Sequence, residues 1–198
     1  EYEQTISVIK RVKQRTLNLE KISQVNNISR HIKDQCYTLD TIEDKLSKID
    51  FSKPYSARIN ILFSGIAVSF LSLAYGGNMV DFIISFIIGC LISLISIGLN
   101  SLQTNEFFIN IICGATATLV SLMSTKFNVV SHTNTIIISS IMILVPGLSI
   151  TNAIRDTISG DLLSGISRGI EAFLVAVAIA VGTGIILHLW IVLGGFKL

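Results

Sequence analysis

The chain has 198 residues, 51% hydrophobic and only 14% charged, with a net charge of +2. Average soluble domains carry about 25% charged residues, so the composition excludes an ordinary soluble domain and points to a membrane protein. The small net charge, without a basic stripe interleaved with aromatics, gives no footprint for nucleic acid.

The charge is unevenly placed: residues 1–58 hold eleven Lys/Arg and eight Asp/Glu, and residues 59–198 hold four and five. One part is built for water and the other for lipid. The N-terminus is charged and polar, so it is not a signal peptide, and it lacks a starting Met, which leaves room for sequence upstream. "QTISVIKRV" and "RTLNL" are rich in β-branched residues and partly alternate, which predicts a short strand or strand pair. From Leu19 the period becomes helical, with Leu19, Ile22, Val25, Ile28 and Ile32 on one face. A second short helix carries Leu39, Ile42, Leu46 and Ile49, with either Asp40 (paired with Glu43) or Thr38 as its cap. Residues 1–53 therefore read as a small, mainly helical or α+β region, too small to bury much alone and expected to dock on something. The Asn27-Ile28-Ser29 sequon falls in this predicted cytosolic part and reads as chance. Cys36, Cys90 and Cys113 are an odd set without metal-ligand spacing and read as reduced and structural.

Pro54 marks the break, and residues 54–198 form the predicted membrane domain. Five apolar segments follow, at about 57–75, 79–99, 107–125, 135–154 and 169–192. Uncharged runs cover 82–105, 107–125, 127–154 and 172–196, each near or above the roughly 18–20 residues that cross a hydrocarbon core. The fold class is thus all-α, with five transmembrane helices. Gly76-Gly77 predicts a very tight first turn, and Tyr55, Tyr75 and Trp190 lie near helix ends, where interfacial aromatics belong. Lys45, Lys48, Lys53 and Arg58 precede the first segment, which predicts a cytosolic N-terminus. Alternation then puts the 100–106 loop and the Arg155–Arg168 turn inside, and the 126–134 loop and the C-terminus outside.

The stretch "VPGLSITNAIRDTISGDLLSGISRGIEAF" concentrates charge between apolar runs. In one reading residues 155–168 are simply a cytosolic turn, with Arg155 and Arg168 as positive-inside residues. In the other they belong to a transport site. Pro146 interrupts segment four and frees the Met142 carbonyl, and Gly147 eases the break. Exposed backbone in lipid is tolerated only against protein or a water-filled cavity. Asn152, Arg155 and Asp156 share a helix face at i, i+3 and i+4, and Arg168 and Glu171 are spaced i, i+3. Asp161 lies between, and Glu171 precedes a long uncharged run that places it close to lipid depth, where ionisable groups cost ~2.5–3.5 kcal/mol and usually face a pathway. Asp81, one turn into segment two, is either a helix cap or a proton-carrying carboxylate near the outer mouth. Asn60, Asn110, Thr116 and Thr118 read as inter-helix hydrogen-bonding groups.

Gly165-Ile166-Ser167-Arg168-Gly169 matches the G-x-S-x-G pattern, but a nucleophile elbow needs a strand before it. Here the flanks read as turn and helix, and small-xxx-small packing explains the glycines better. His31, His132 and His188 are not placed for a triad, no phosphate loop occurs, and neither cofactor nor metal is expected. The chain does not read as an enzyme.

"YGGNMVDFIISFIIGCL", "LVPGLSITNAIRDTISGDLLSGISRGIEAF" and "ISQVNNISRHI" together resemble the threonine/serine exporter (ThrE) family, over nearly the whole chain. They are most similar to its first-half module, the YjjP-like subunit of split members. The resemblance implies a proton-motive-force-driven exporter of threonine and serine, or of dicarboxylates such as succinate. It also implies a second small membrane subunit, YjjB-like, or self-association, and the plasma membrane of a bacterium. The rival reading is a membrane anchor or assembly scaffold whose cytosolic helices bind a soluble protein.

Overall fold

The computed structural model describes residues 18–32, 38–50, 55–127, 129–130 and 132–193. The strand segment predicted at residues 4–12, Cys36 and Lys197 lie outside the described residues, as do residues 15–17 of the second segment (15–19), whose Asn18 and Leu19 instead cap and begin a helix. Among those described, every regular element is an α-helix: α1 (Leu19–His31), α2 (Leu39–Asp50), α3 (Ala57–Ala74), α4 (Met79–Ser101), α5 (Glu106–Lys126), α6 (Thr133–Met142), α7 (Gly147–Ile158) and α8 (Leu162–Val192). The chain divides into two units, residues 1–54 and 55–198.

In the first unit, Asn18 caps α1 by accepting from the Lys21 N–H at 3.0 Å. The hydroxyls of Thr38 and Thr41 meet at 2.7 Å at the start of α2. The ammonium of Lys21 donates to the Asp50 carbonyl at 2.9 Å, tying the start of α1 to the end of α2.

In the second unit, α3, α4, α5 and α8 are long and apolar enough to cross a membrane, and α6 and α7, bent by 56° at their break, pass that test only as a pair, as a broken span or a re-entrant loop. Its exterior is apolar, with Phe63, Phe70, Ile83, Phe108 and Phe173 exposed. Its interior holds Ser69, Ser72, Asp81, Ser85, Thr118, Ser121, Ser139 and Ser140, all buried, beside an apolar cluster of Ile88, Ile92, Ile109, Cys113 and Ile136. That arrangement suits lipid, where helices associate through small and polar side chains rather than by escaping water.

Small residues set the packing distances. A Cβ on Gly65 would stand 2.6 Å from the Cys90 sulfur and 2.9 Å from the Phe86 ring, and one on Gly89 would stand 2.7 Å from the Ser64 carbonyl. These contacts fix an antiparallel α3–α4 register that places Ser69 near the level of Ser85, and Ser72 near that of Asp81. A Cβ on Gly182 would collide with the Ile111 carbonyl oxygen, and one on Gly114 would stand 3.0 Å from the Ile179 carbonyl. Lys126 lies 5.8 Å from the centre of the Trp190 ring, so α5 and α8 run in the same direction.

Three helix ends turn on a left-handed residue: Gln103 (φ 55°) after α4, and glycine at the other two. Gly76 (φ 85°) follows α3, and Gly160 (φ 90°) follows α7. In both, paired bonds close the helix end: Gly77 N–H to Ser72 and Gly76 N–H to Leu73, and Asp161 N–H to Asp156 and Gly160 N–H to Thr157. The tight turn expected at Gly76-Gly77 is present.

The break expected in segment four (135–154) is present: two helices are parted by residues 143–146, with Pro146 as the N-cap of α7. Three other expectations are corrected. The Met142 carbonyl is not left free, because the Val145 N–H reaches it at 3.3 Å. Segment five (169–192) begins seven residues earlier, at Leu162, since Asp161 caps a helix there. Residues 155–168 are therefore the facing ends of two helices rather than an extended loop. The predicted inter-helix polar contacts are local: Asn110 donates to Glu106, Thr116 to Ile112 and Thr118 to Gly114, each to the carbonyl four residues back.

Candidate functional site

The α7–α8 hairpin gathers most of the predicted site residues. Its tightness comes from Gly165, whose missing side chain lets it press on the Thr157 hydroxyl and the Ala153 carbonyl. Gly169, its partner in the small-xxx-small pattern, meets nothing within 4 Å. Across this contact Arg168 Nε lies 3.2 Å from Asp156 Oδ2, with the side chains 41% and 26% exposed. The separation is that of an ion pair without hydrogen-bond alignment, and Oδ2, itself shielded, has no aligned donor. A pair this accessible stabilises by about 1 kcal/mol at most.

Asn152 is half-buried one turn before Asp156, on the side that meets α8, whereas Arg155 is exposed. The shared face of Asn152, Arg155 and Asp156 is thus split between the helix contact and the surface. Glu171 is exposed and not paired with Arg168, whose guanidinium turns to Asp156 instead. Asp161 caps α8 by accepting from the Ser164 N–H at 3.2 Å. Hydrogen bonding to Ser164, through the side chain first and then the backbone, holds its carboxyl below the usual range, assisted weakly by Arg168. Pro146 and Gly147 open α7 at the far end of the hairpin. The hairpin thus presents two guanidinium groups and three carboxylates within a few turns, a set able to hold both ends of a zwitterion.

Asp81 lies elsewhere, at the end of the bundle where the α3–α4 turn meets the link from α5 to α6. It is 1% exposed. Its Oδ2 accepts from the Asn78 N–H at 2.9 Å, so the capping role is real. The same oxygen lies 2.9 Å from Nδ1 of His132, whose side chain is 45% exposed. Sequence reasoning left His132 in an outer loop and missed this pairing. The available signal was the alternation of spans, which puts residues 76–81 and 126–134 at one end. Close by, the hydroxyls of Ser72 and Ser85 are buried without a hydrogen-bond partner, as is that of Ser140 on α6. A Cβ on Gly77 would stand 2.7 Å from the Ser72 hydroxyl and 3.3 Å from Asp81 Cβ. Ser85 follows Asp81 by one helical turn.

A family model described as "Putative threonine/serine exporter", ThrE, matches residues 1–190. Neither a curated protein nor a solved structure matches the chain.

Proposed function

We propose that this chain, which belongs to the threonine/serine exporter family, exports small hydrophilic amino acids through a site on the α7–α8 hairpin. The observation that carries the reading is the hairpin: an Asp156–Arg168 pair beside Asn152, with Arg155 and Glu171 outside it, next to a broken span. Arg155 receives the substrate carboxylate through charge-assisted hydrogen bonds, and Glu171 or Asp156 faces the amine. The break at residues 143–146 gives the hinge that discontinuous helices supply at transporter sites.

The length of α8 supports this placement. Its 31 residues extend about 46 Å, against a hydrocarbon core of about 30 Å. With Trp190 at one interface, the opposite interface falls about 20 residues earlier, near Ile170. Glu171 then stands at the membrane edge, and Arg168, Asp161, Asp156 and Arg155 stand just beyond it, where cargo is collected.

The finer reading is a bacterial plasma-membrane protein with a cytosolic N-terminus and an outward C-terminus, driven by the proton motive force. It works with a second small polytopic subunit or a further copy of itself. Dicarboxylates such as succinate are the second cargo class, since two guanidinium groups sit on the hairpin. The test is uptake of labelled threonine, serine and succinate into inside-out proteoliposomes. Arg155→Ala should lose most transport of the preferred cargo. Full transport by that variant removes Arg155 from the site.

A further inference from the structure

We propose that Asp81 and His132 form a proton-exchange pair serving export, with His132 as the solvent-facing donor and Asp81 as the buried acceptor. The inference rests on the exporter reading for its purpose, but not for its chemistry. Three observations meet here. A carboxylate 1% exposed touches an imidazole 45% exposed at 2.9 Å, so one hydrogen bond connects solvent to the interior. The carboxylate sits on a predicted membrane span, where an ionisable side chain is rare without a task. The hydroxyls of Ser72 and Ser85, both fully buried, have no partner although each can donate and accept. Buried polar groups normally find partners, so two orphans beside a buried carboxylate mark a place where hydrogen bonds are remade.

The step balances. A proton from solvent binds Nε2 of neutral His132, and the Nδ1 proton passes to Oδ2 of Asp81. The products are a neutral acid and a neutral imidazole carrying its hydrogen on Nε2, with one proton gained from solvent. Once protonated, Asp81 no longer pairs as an anion with the Asn78 N–H, and its new O–H can turn to Ser72 or Ser85. Few other ionisable groups compete among the described residues packed against this end. α3 offers Tyr75 at its C-cap, α5 offers Lys126, which lies over Trp190, and α6 contributes only the capping His132.

The test uses the full chain in membrane vesicles and dicyclohexylcarbodiimide, an apolar reagent that modifies protonated buried carboxyls. Labelling of Asp81, read by mass spectrometry, should fall as pH rises. At a fixed pH within the falling part, His132→Ala should change it about tenfold, because the carboxylate loses a charge-assisted hydrogen bond. Labelling that is absent or flat with pH, a His132→Ala profile that superimposes on the parent, or protection by sodium at constant pH overturns the pair. Ser85→Ala separates a proton role from packing. Deleting an orphaned hydroxyl should leave thermal stability unchanged or higher, while slowing pH-gradient-driven export several-fold.

Transport of threonine distinguishes the two readings. Asp81→Asn should retain threonine exchange at equal pH and lose accumulation driven by a pH gradient. If Asp81→Asn still accumulates threonine, the pair is refuted and the exporter reading stands. If the parent chain moves no threonine even with the proposed second subunit co-expressed, while labelling behaves as stated, the exporter reading fails and the pair stands.

Discussion

Gly182→Ala is the most searching test of the bundle. A Cβ there would collide with the Ile111 carbonyl oxygen and lie 2.9 and 3.0 Å from the carbonyl carbon and Cα of the same residue. All three are backbone atoms, so no side chain can swing away and α5 and α8 must part. Overpacking of this kind costs about 1–3 kcal/mol. Replacing a helical glycine by alanine returns about 1 kcal/mol, so the net loss is roughly 0–2 kcal/mol, and the deficit against a variant with the propensity gain alone is the full overpacking cost. The control lies two residues on, where a Cβ on Gly184 meets nothing within 4 Å. Gly184→Ala should keep the propensity gain alone and be neutral or slightly stabilising. The assay is thermal unfolding of both variants in one detergent, followed by circular dichroism. If Gly182→Ala melts with Gly184→Ala, the α5–α8 contact is not as described and the reasoning fails.

Two further outcomes follow from the hairpin. Arg168→Ala should be more damaging than the double variant with Asp156→Ala, by up to about 1 kcal/mol, because it leaves a shielded carboxylate alone; a double-mutant cycle in thermal unfolding measures this. For Asp161, a carboxyl held below its usual range stabilises the start of α8 above the unfolded-state pKa, and this contribution is lost as pH falls through the lower folded value. Amide exchange at residues 161–168, corrected for its intrinsic pH dependence, should therefore rise in acid for the parent chain. Asp161→Ala should show high exchange at neutral pH with little further change.

Much of this was written in the residues. Uncharged runs located the spans, Gly76-Gly77 the first turn, and the spacing of Leu19, Ile22, Val25 and Ile28 the helix α1. The start of α8 was less visible. Ser159, Gly160, Asp161, Ser164, Gly165 and Gly169 look like a loop, yet Gly160 ends one helix, Asp161 caps the next, and Gly165 packs the two together. Thr116 and Thr118 suggested bonds between helices, but the hydroxyl of each finds a carbonyl four residues back in its own helix, the nearest acceptor. The Asp156–Arg168 contact needed the hairpin, which twelve residues of spacing do not specify. Asp81 and His132 are 51 positions apart, and only the end-to-end alternation of helices brings them together.

The glycine contact between α5 and α8 also sets a long lever arm. From Gly182 to the start of α8 at Leu162 is about 30 Å of stiff helix. A tilt of about 10° at that crossing would swing the charged tip through about 5 Å. Because Gly165 packs α7 closely on α8, α7 would travel with the tip, and the break at residues 143–146 is where the chain would bend. The length of α8 beyond the crossing would thus magnify a small rotation deep in the bundle at its charged end.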